Sequence, residues 1–189
     1  MAYDAEDTRR RIFEAAAAEF AEHGLAGARV DRIASAARAN KQAIYLYYGS
    51  KEKLFSAILR AKLDEVRMAI AVDLDGVAES VGQIFDWYAE HPELIRLLLW
   101  DALEAGDTGD DEWRAAFQEK VDRLVVGTDD NERRNAQDML FTIMGLISWN
   151  FAVPRMCRLV LDESTDQAAL ARRREAVIQT VRVLAANRC

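Results

Sequence analysis

A chain of 189 residues has room for one ordinary domain or two small ones, and it needs no disulfide or metal to build a core. Its 25 Lys+Arg against 32 Asp+Glu give a net charge of −7, which speaks against a general nucleic-acid coat protein, and 51% hydrophobic residues exclude a disordered chain. With only 9 Gly and 2 Pro there is little material for the turns of a β-sandwich, so an all-α protein is expected.

The charge is not evenly spread. Residues 1–55 carry 9 basic and 8 acidic side chains, while residues 56–189 carry 16 and 24. Between 29 and 53, Arg29, Arg32, Arg38, Lys41, Lys51 and Lys53 face only Asp31 and Glu52, a local net of +4. The N-terminal segment is acidic, then basic, without an apolar centre, so no signal peptide is expected there. No apolar run reaches the roughly 18 residues of a membrane span; the longest, Met139 to Val153, is interrupted by Thr142, Gly145, Ser148 and Asn150. Cys157 and Cys189 form no paired motif, which fits a reducing cytoplasm.

The first predicted helix starts behind Asp4, Glu6 and Asp7, whose charge suits a helix N-terminus. Ile12, Phe13, Ala16, Ala17 and Phe20 recur at helical spacing, and Gly24 ends the helix after His23. A short helix from Val30 to Ala37 buries Val30, Ile33, Ala34 and Ala37. After Arg38-Ala39, Asn40 caps a third helix from Lys41 to Tyr48, which Gly49 ends. Ser50 caps a fourth, carrying Leu54, Phe55, Ile58, Leu59 and Leu63.

Residues 30–48 thus read as helix, tight turn, helix, with a bracing helix on each side, which is the layout of a helix-turn-helix DNA-binding unit. The second helix of the pair can present Asn40, Lys41, Gln42, Tyr45 and Tyr47. Amides pair with adenine, Lys reaches guanine or phosphate, and Tyr hydroxyls bond phosphate oxygens. The first amides of the fourth helix, with Lys51, offer a phosphate clamp.

These residues resemble the N-terminal domain of the tetracycline-repressor (TetR) family of bacterial transcriptional regulators. The resemblance runs from Thr8 to Leu59 and is carried by RRRIFEAAAAEFAEHG and ARVDRIASAARANKQAIYLYYGSKEKLF, with Gly24, Ile33-Ala34, Tyr45-x-Tyr47-Tyr48 and Lys51-Glu52-x-Leu54 in the family's spacing. Arg38 stands at a turn position often held by Gly. Ala28 and Arg29 stand where Thr is common, so Arg29 is a candidate for the phosphate contact. Tyr48 replaces the usual Phe and is assigned to the core. The DNA-binding set is therefore Arg29, Asn40, Lys41, Gln42, Tyr45, Tyr47 and Lys51.

Farther on, a helix from Asp73 or Asp75 carries Val77, Val81, Ile84, Phe85 and Tyr88 up to His91-Pro92. The next runs from Pro92 to Glu104, and after a loop at Gly106–Gly109 another spans Asp110 to Val126. The helix from Asp130 to Phe151 is apolar around most of its circumference and must be covered on nearly every side. Pro154 breaks it or begins a short helix, and the last helix runs from Asp166 to Ala186. About nine helices are expected in all.

The division is a helix-turn-helix domain at 1–55 and a ligand-binding and dimerisation domain at 56–189. The resemblance implies a homodimer built on the last two long helices, with Leu140, Ile143, Ile147, Phe151, Val177, Val181 and Leu184 as interface candidates. It also implies a small-molecule pocket, with Phe85, Trp87, Tyr88, Trp100, Trp113, Phe117, Phe141, Met144 and Trp149 as candidate lining for a hydrophobic or aromatic effector. The expected function is a repressor released from a palindromic double-stranded DNA operator by that effector. Two other classes are an all-helical binder or enzyme that has lost DNA binding, and a structural or adaptor dimer; the retained Lys and Tyr of 29–53 argue against both. No catalytic group, metal site or cofactor is expected: His23 and His91 are isolated, and the acids Asp107, Asp110, Asp111 and Glu112 read as a solvated loop and helix start.

Overall fold

The computed structural model describes residues 2–69, 76–104, 111–125, 129–163 and 166–186, without the side chains of 2–4, 68, 69 and 111–113. These residues form ten helices: α1 (Ala2–Gly27), α2 (Val30–Ala36), α3 (Lys41–Tyr48), α4 (Lys51–Ala69), α5 (Val77–Glu90), α6 (Glu93–Glu104), α7 (Asp111–Leu124), α8 (Asp130–Ala152), α9 (Pro154–Leu161) and α10 (Gln167–Ala186). Pro154 begins α9, which accounts for the tenth helix: its missing N–H is no loss in a first turn. The expected start of α5 at Asp73 or Asp75, the loop at 106–109 and Val126 lie outside the described residues. Among those described, no single helix is long and apolar enough to cross a membrane.

Two compact units divide the chain. The first comprises Met1–Glu65 with Pro92–Gly106, the second Val66–His91 with Asp107–Cys189. The greater part of α4, up to Glu65, and α6 fall within the first unit, α6 because it packs along α1.

In the first unit, Ile12, Ala16 and Phe20 of α1 are fully buried with Ile33, Leu54, Phe55 and Ile58. Phe20 meets Phe55 edge-on at 5.2 Å between ring centres, a favoured aromatic geometry. Gly24 kinks α1 with φ 71° and ψ 179°, and the chain resumes one further turn to Gly27. Trp100 of α6 lies over this kink, its Nε1 donating to the Ala21 carbonyl at 3.4 Å.

In the second unit, α5 runs along α10, and α8 contacts α5, α7 and α10. Gly82 permits the first of these packings: a Cβ there would stand 3.1 Å from Ile178 Cδ1 and closer still to the Arg174 guanidinium, which pairs with Asp86 at 2.7 Å. Val121 and Leu124 of α7 bury against Ala136 and Leu140 of α8, with Ile84 and Phe117 at the edge. Asp129 and Asp166 cap α8 and α10 by accepting from the amides of Glu132 and Ala169 at 2.8 and 2.9 Å.

Candidate nucleic-acid interface

The turn between α2 and α3 is short and fixed at both ends. Asn40 has extended backbone angles and its side chain accepts from the Ala43 amide at 2.7 Å, so α3 begins where the sequence predicts. Gly49 ends it with φ 81°. Arg38, at the position where a glycine is common, adopts φ 50°. A left-handed conformation costs a residue with a Cβ about 1–2 kcal/mol. Offsetting contacts come from α1: Arg11 donates to the carbonyls of Ala37 at 2.7 Å and Arg38 at 3.4 Å, while its Nε is held by Asp7 at 3.0 Å.

The angle of α3 against α1 is set by its inner side. Ile44 is buried, and Tyr48 is half-buried with its hydroxyl donating to the Arg9 carbonyl at 3.3 Å. The Arg9 guanidinium lies 5.7 Å from the centre of the Tyr48 ring. Tyr48 therefore faces its own domain. The outer side presents Lys41, Gln42, Tyr45 and Leu46, with Asn40 exposed at its start and Tyr47 half-buried. Leu46, at 80% exposure, is absent from the residues selected by polar chemistry. A signal existed: Ile44 and Tyr48 define the buried stripe, and Leu46 falls outside it, one turn beyond Gln42.

The flanking cations are more occupied than their spacing suggests. Lys41 pairs with Asp31 of α2. The Lys51 Nζ donates to the Ala28 carbonyl at 3.3 Å, tying the start of α4 to the loop before α2. At the head of α4, Ser50 Oγ accepts from the Lys53 amide at 3.1 Å. The Glu52 carboxyl is held below its usual range by a bond from its own backbone amide, then by the Ser50 hydroxyl and by Lys51. The start of α4 thus carries a carboxylate of the chain itself beside Lys51.

Arg29 is exposed at the N-cap of α2 and makes no side-chain cap; its backbone amide donates to Glu19 at 2.8 Å. Glu19 also accepts from Arg32 Nε at 2.7 Å. Glu19 stands outside residues 29–53 in sequence but among them in space, so the charge excess of the patch is smaller than +4. Burial raises the Glu19 carboxyl, but the hydrogen bonds from Arg32 and the Arg29 amide outweigh it and hold the group below the ordinary glutamate range. A carboxyl depressed by folding contributes stability above its unfolded pKa and loses it as pH falls through the folded one. Glu19→Gln should therefore cost about 1–2 kcal/mol at neutral pH. The difference from wild type should vanish below the glutamate range; urea midpoints at both pH values measure it.

The aromatic residues expected to line a pocket fall into several groups. Phe85 and Tyr88 are buried and meet Phe151 at ring-centre distances of 5.0 and 6.0 Å. Burial pushes the Tyr88 phenol up, and its bond with the Ser148 side chain opposes that. Trp87 meets Tyr88 edge-on at 5.8 Å and also stacks on His91 at 4.3 Å, and Phe117 packs beside Val121 and Leu124. Trp100 belongs to the first unit, at the Gly24 kink. Phe141, Met144 and Trp149 lie on the surface, and the Trp113 side chain is outside the described residues. Concentration of aromatics after residue 80 marks an aromatic core and an aromatic surface, which helical spacing alone does not separate.

The interface candidates need a similar correction. Leu140, Ile143, Ile147, Val177 and Val181 are buried within the single chain, Phe151 is half-buried on Phe85 and Tyr88, and of the seven only Leu184 is exposed. The free apolar edge carries Phe141, Met144 and Trp149 on α8 and Val183 and Leu184 on α10. Beside it lies an open groove of about 570 Å³, lined by Phe141, Gly145, Trp149, Arg172, Ala176 and Thr180 among others. Among the described residues no cluster could hold a metal ion.

Comparison with known proteins agrees with this geometry. Residues 12–58 match the family described as bacterial regulatory proteins, tetR family, and residues 73–182 match the tetracyclin repressor-like C-terminal domain. The chain is 43% identical over 175 residues to the HTH-type transcriptional repressor SCO4008 of Streptomyces coelicolor, covering 87% of this chain and 91% of that protein. It is 35% identical over 112 residues to the HTH-type transcriptional repressor NicS of Pseudomonas putida, covering 56% of this chain and 53% of that one. The solved crystal structure of SCO4942 from Streptomyces coelicolor aligns with TM-score 0.79 at 32% identity, over 94% of this chain and 97% of that one. A TetR family transcription regulator from Marinobacter aquaeolei, at 18% identity and TM-score 0.67 over 95% of this chain and 97% of that one, shares the fold. A helix-turn-helix, two family domains in order and repressors as relatives lead to one conclusion: this chain belongs to the TetR family and is a DNA-binding transcriptional regulator, not an enzyme.

Proposed function

We propose that the chain is a cytoplasmic homodimeric repressor that holds a palindromic operator until a small hydrophobic or aromatic ligand releases it. The observation that carries the reading is α3 itself, capped at both ends and presenting Lys41, Gln42 and Tyr45 outward. One such helix in one major groove gives modest specificity. Two helices held about 34–36 Å apart read two half-sites one turn apart, and a two-fold dimer then calls for a palindrome. Residues 1–55 would read DNA and 56–189 pair the subunits and sense the ligand. The free apolar edge of α8 and α10 supplies a surface for a second copy. The releasing ligand acts only through unequal affinity for the DNA-competent and incompetent dimers; a compound that binds and leaves operator affinity unchanged is no inducer.

The test is binding to duplexes from the DNA upstream of the chain's own gene, titrated across a salt series. Specific affinity should exceed that for random DNA and fall steeply with salt. Equal affinity for random DNA overturns the reading. Tyr47→Phe should weaken all sequences alike, by about 3–10-fold, through loss of a phosphate hydrogen bond. Gln42→Ala should instead change which bases are preferred.

A further inference from the structure

We propose that Leu46 is a specificity-determining residue whose side chain packs against the C5-methyl group of a thymine in each half-site; this rests on the reading that α3 enters the major groove. Leu46 is 80% exposed, more than any other large apolar side chain of α3, and lies between Tyr45 and Tyr47 on the most outward part of the helix. It has no structural duty within the chain: Ile44 fills the core and Tyr48 is held on α1. Its neighbours on the outer face, Lys41, Gln42 and Tyr45, are polar or cationic, which suits a polyanion and not an apolar protein surface.

The chemistry then narrows the target. A leucine neither donates nor accepts a hydrogen bond, so it reads none of the N7, O6, N6 or N4 groups of the base edges. The one apolar group that the major groove displays is the thymine methyl. Gln42 precedes Leu46 by four residues, so the two side chains share a face about 5–6 Å apart. Base pairs rise about 3.4 Å each, which places the thymine one or two pairs from the base read by Gln42. Glutamine favours adenine, so each half-site should hold an adenine and a thymine at that separation.

The experiment replaces each operator thymine in turn by deoxyuridine, which removes the methyl and keeps every hydrogen-bonding group. With the wild-type protein, one symmetric pair of positions should lower affinity by about four-fold per half-site, the transfer of one methyl-sized group from contact to water. With Leu46→Ala the same substitution should cost less than two-fold, and this difference separates side-chain contact from any effect of deoxyuridine on DNA shape. Leu46→Gln should behave as Leu46→Ala does. Because the side chain is exposed, thermal melting of both variants should match wild type. Specific binding with no thymine position sensitive to the methyl, or an unchanged deoxyuridine penalty in Leu46→Ala, overturns the proposal alone. Absence of any sequence preference overturns the operator reading and this proposal with it.

Discussion

Gly24→Ala is expected to destabilise the chain by about 2–6 kcal/mol, read as a lower urea midpoint in the unfolding of α1 and its partners. Two independent costs add. The backbone at Gly24 has φ 71° and ψ 179°, a region essentially closed to residues with a Cβ and worth about 1–3 kcal/mol of strain. The added Cβ would also stand 2.8 Å from Cδ2 and Cε3 of Trp100 and 2.9 Å from Glu104 Oε1. Neither neighbour yields easily. Trp100 is anchored to the Ala21 carbonyl, and Glu104 accepts from the Ala26 amide at 2.8 Å. Overpacking of this kind costs about 1–3 kcal/mol more. In a Trp100→Ala background the ring's share of the second cost should disappear, while the backbone strain and the Glu104 contact remain, so a double-mutant cycle isolates the ring's share. A loss under about 1 kcal/mol in the single variant would show that the kink tolerates a side chain. The kink matters for DNA because the turn behind it delivers Ala28 and Arg29, where α2 begins and Lys51 is tied.

Local signals in the sequence made the first unit legible. Asn40, Gly49 and Ser50 act on their own neighbours, within three or four residues, and each does in the structure what its chemistry predicts. Gly24 was legible as a helix end, but the ring that seals it comes from Trp100, seventy-six positions on, and no short-range pattern links the two. Glu19 was hidden for the same reason: it completes the α2 N-terminus from α1. In the second unit the difficulty is different. α8 is apolar on several sides, so periodicity says that most of it must be covered without saying by what. The answer depends on where α5, α7 and α10 pack, and they take the Leu140, Ile143 and Ile147 side, leaving Phe141 and Trp149 outside. Leu46 falls outside a set chosen for polar and aromatic chemistry, and only its exposure brings it to notice.

If the proposed dimer forms on this edge, the pair Phe141→Glu and Trp149→Glu is expected to convert it to monomer and to cut operator affinity by a hundred-fold or more. Phe141 and Trp149 are 80% and 62% exposed and lie two turns apart on α8, with Met144 between them. Val183 and Leu184 offer a matching edge on α10. Each aromatic side chain buried against a second copy removes about 150–250 Å² from water. Gly145, whose added Cβ would meet nothing within 4 Å, leaves room along the groove for a partner side chain. A glutamate at either position would have to lose its hydration beside an Arg172 that Glu163 already holds, and two-fold symmetry would double that cost. Both side chains are exposed and lie outside the core of the chain, so the melting of the isolated monomer should stay intact, which separates this outcome from misfolding. Operator affinity falls because the second half-site is then bound by a separate molecule, without the 10²–10⁴-fold gain from linkage. Affinity for a single half-site should stay unchanged. Sedimentation equilibrium and titration of whole and half operators read both effects; a variant still dimeric at micromolar concentration would move the subunit contact off this edge of α8 and α10.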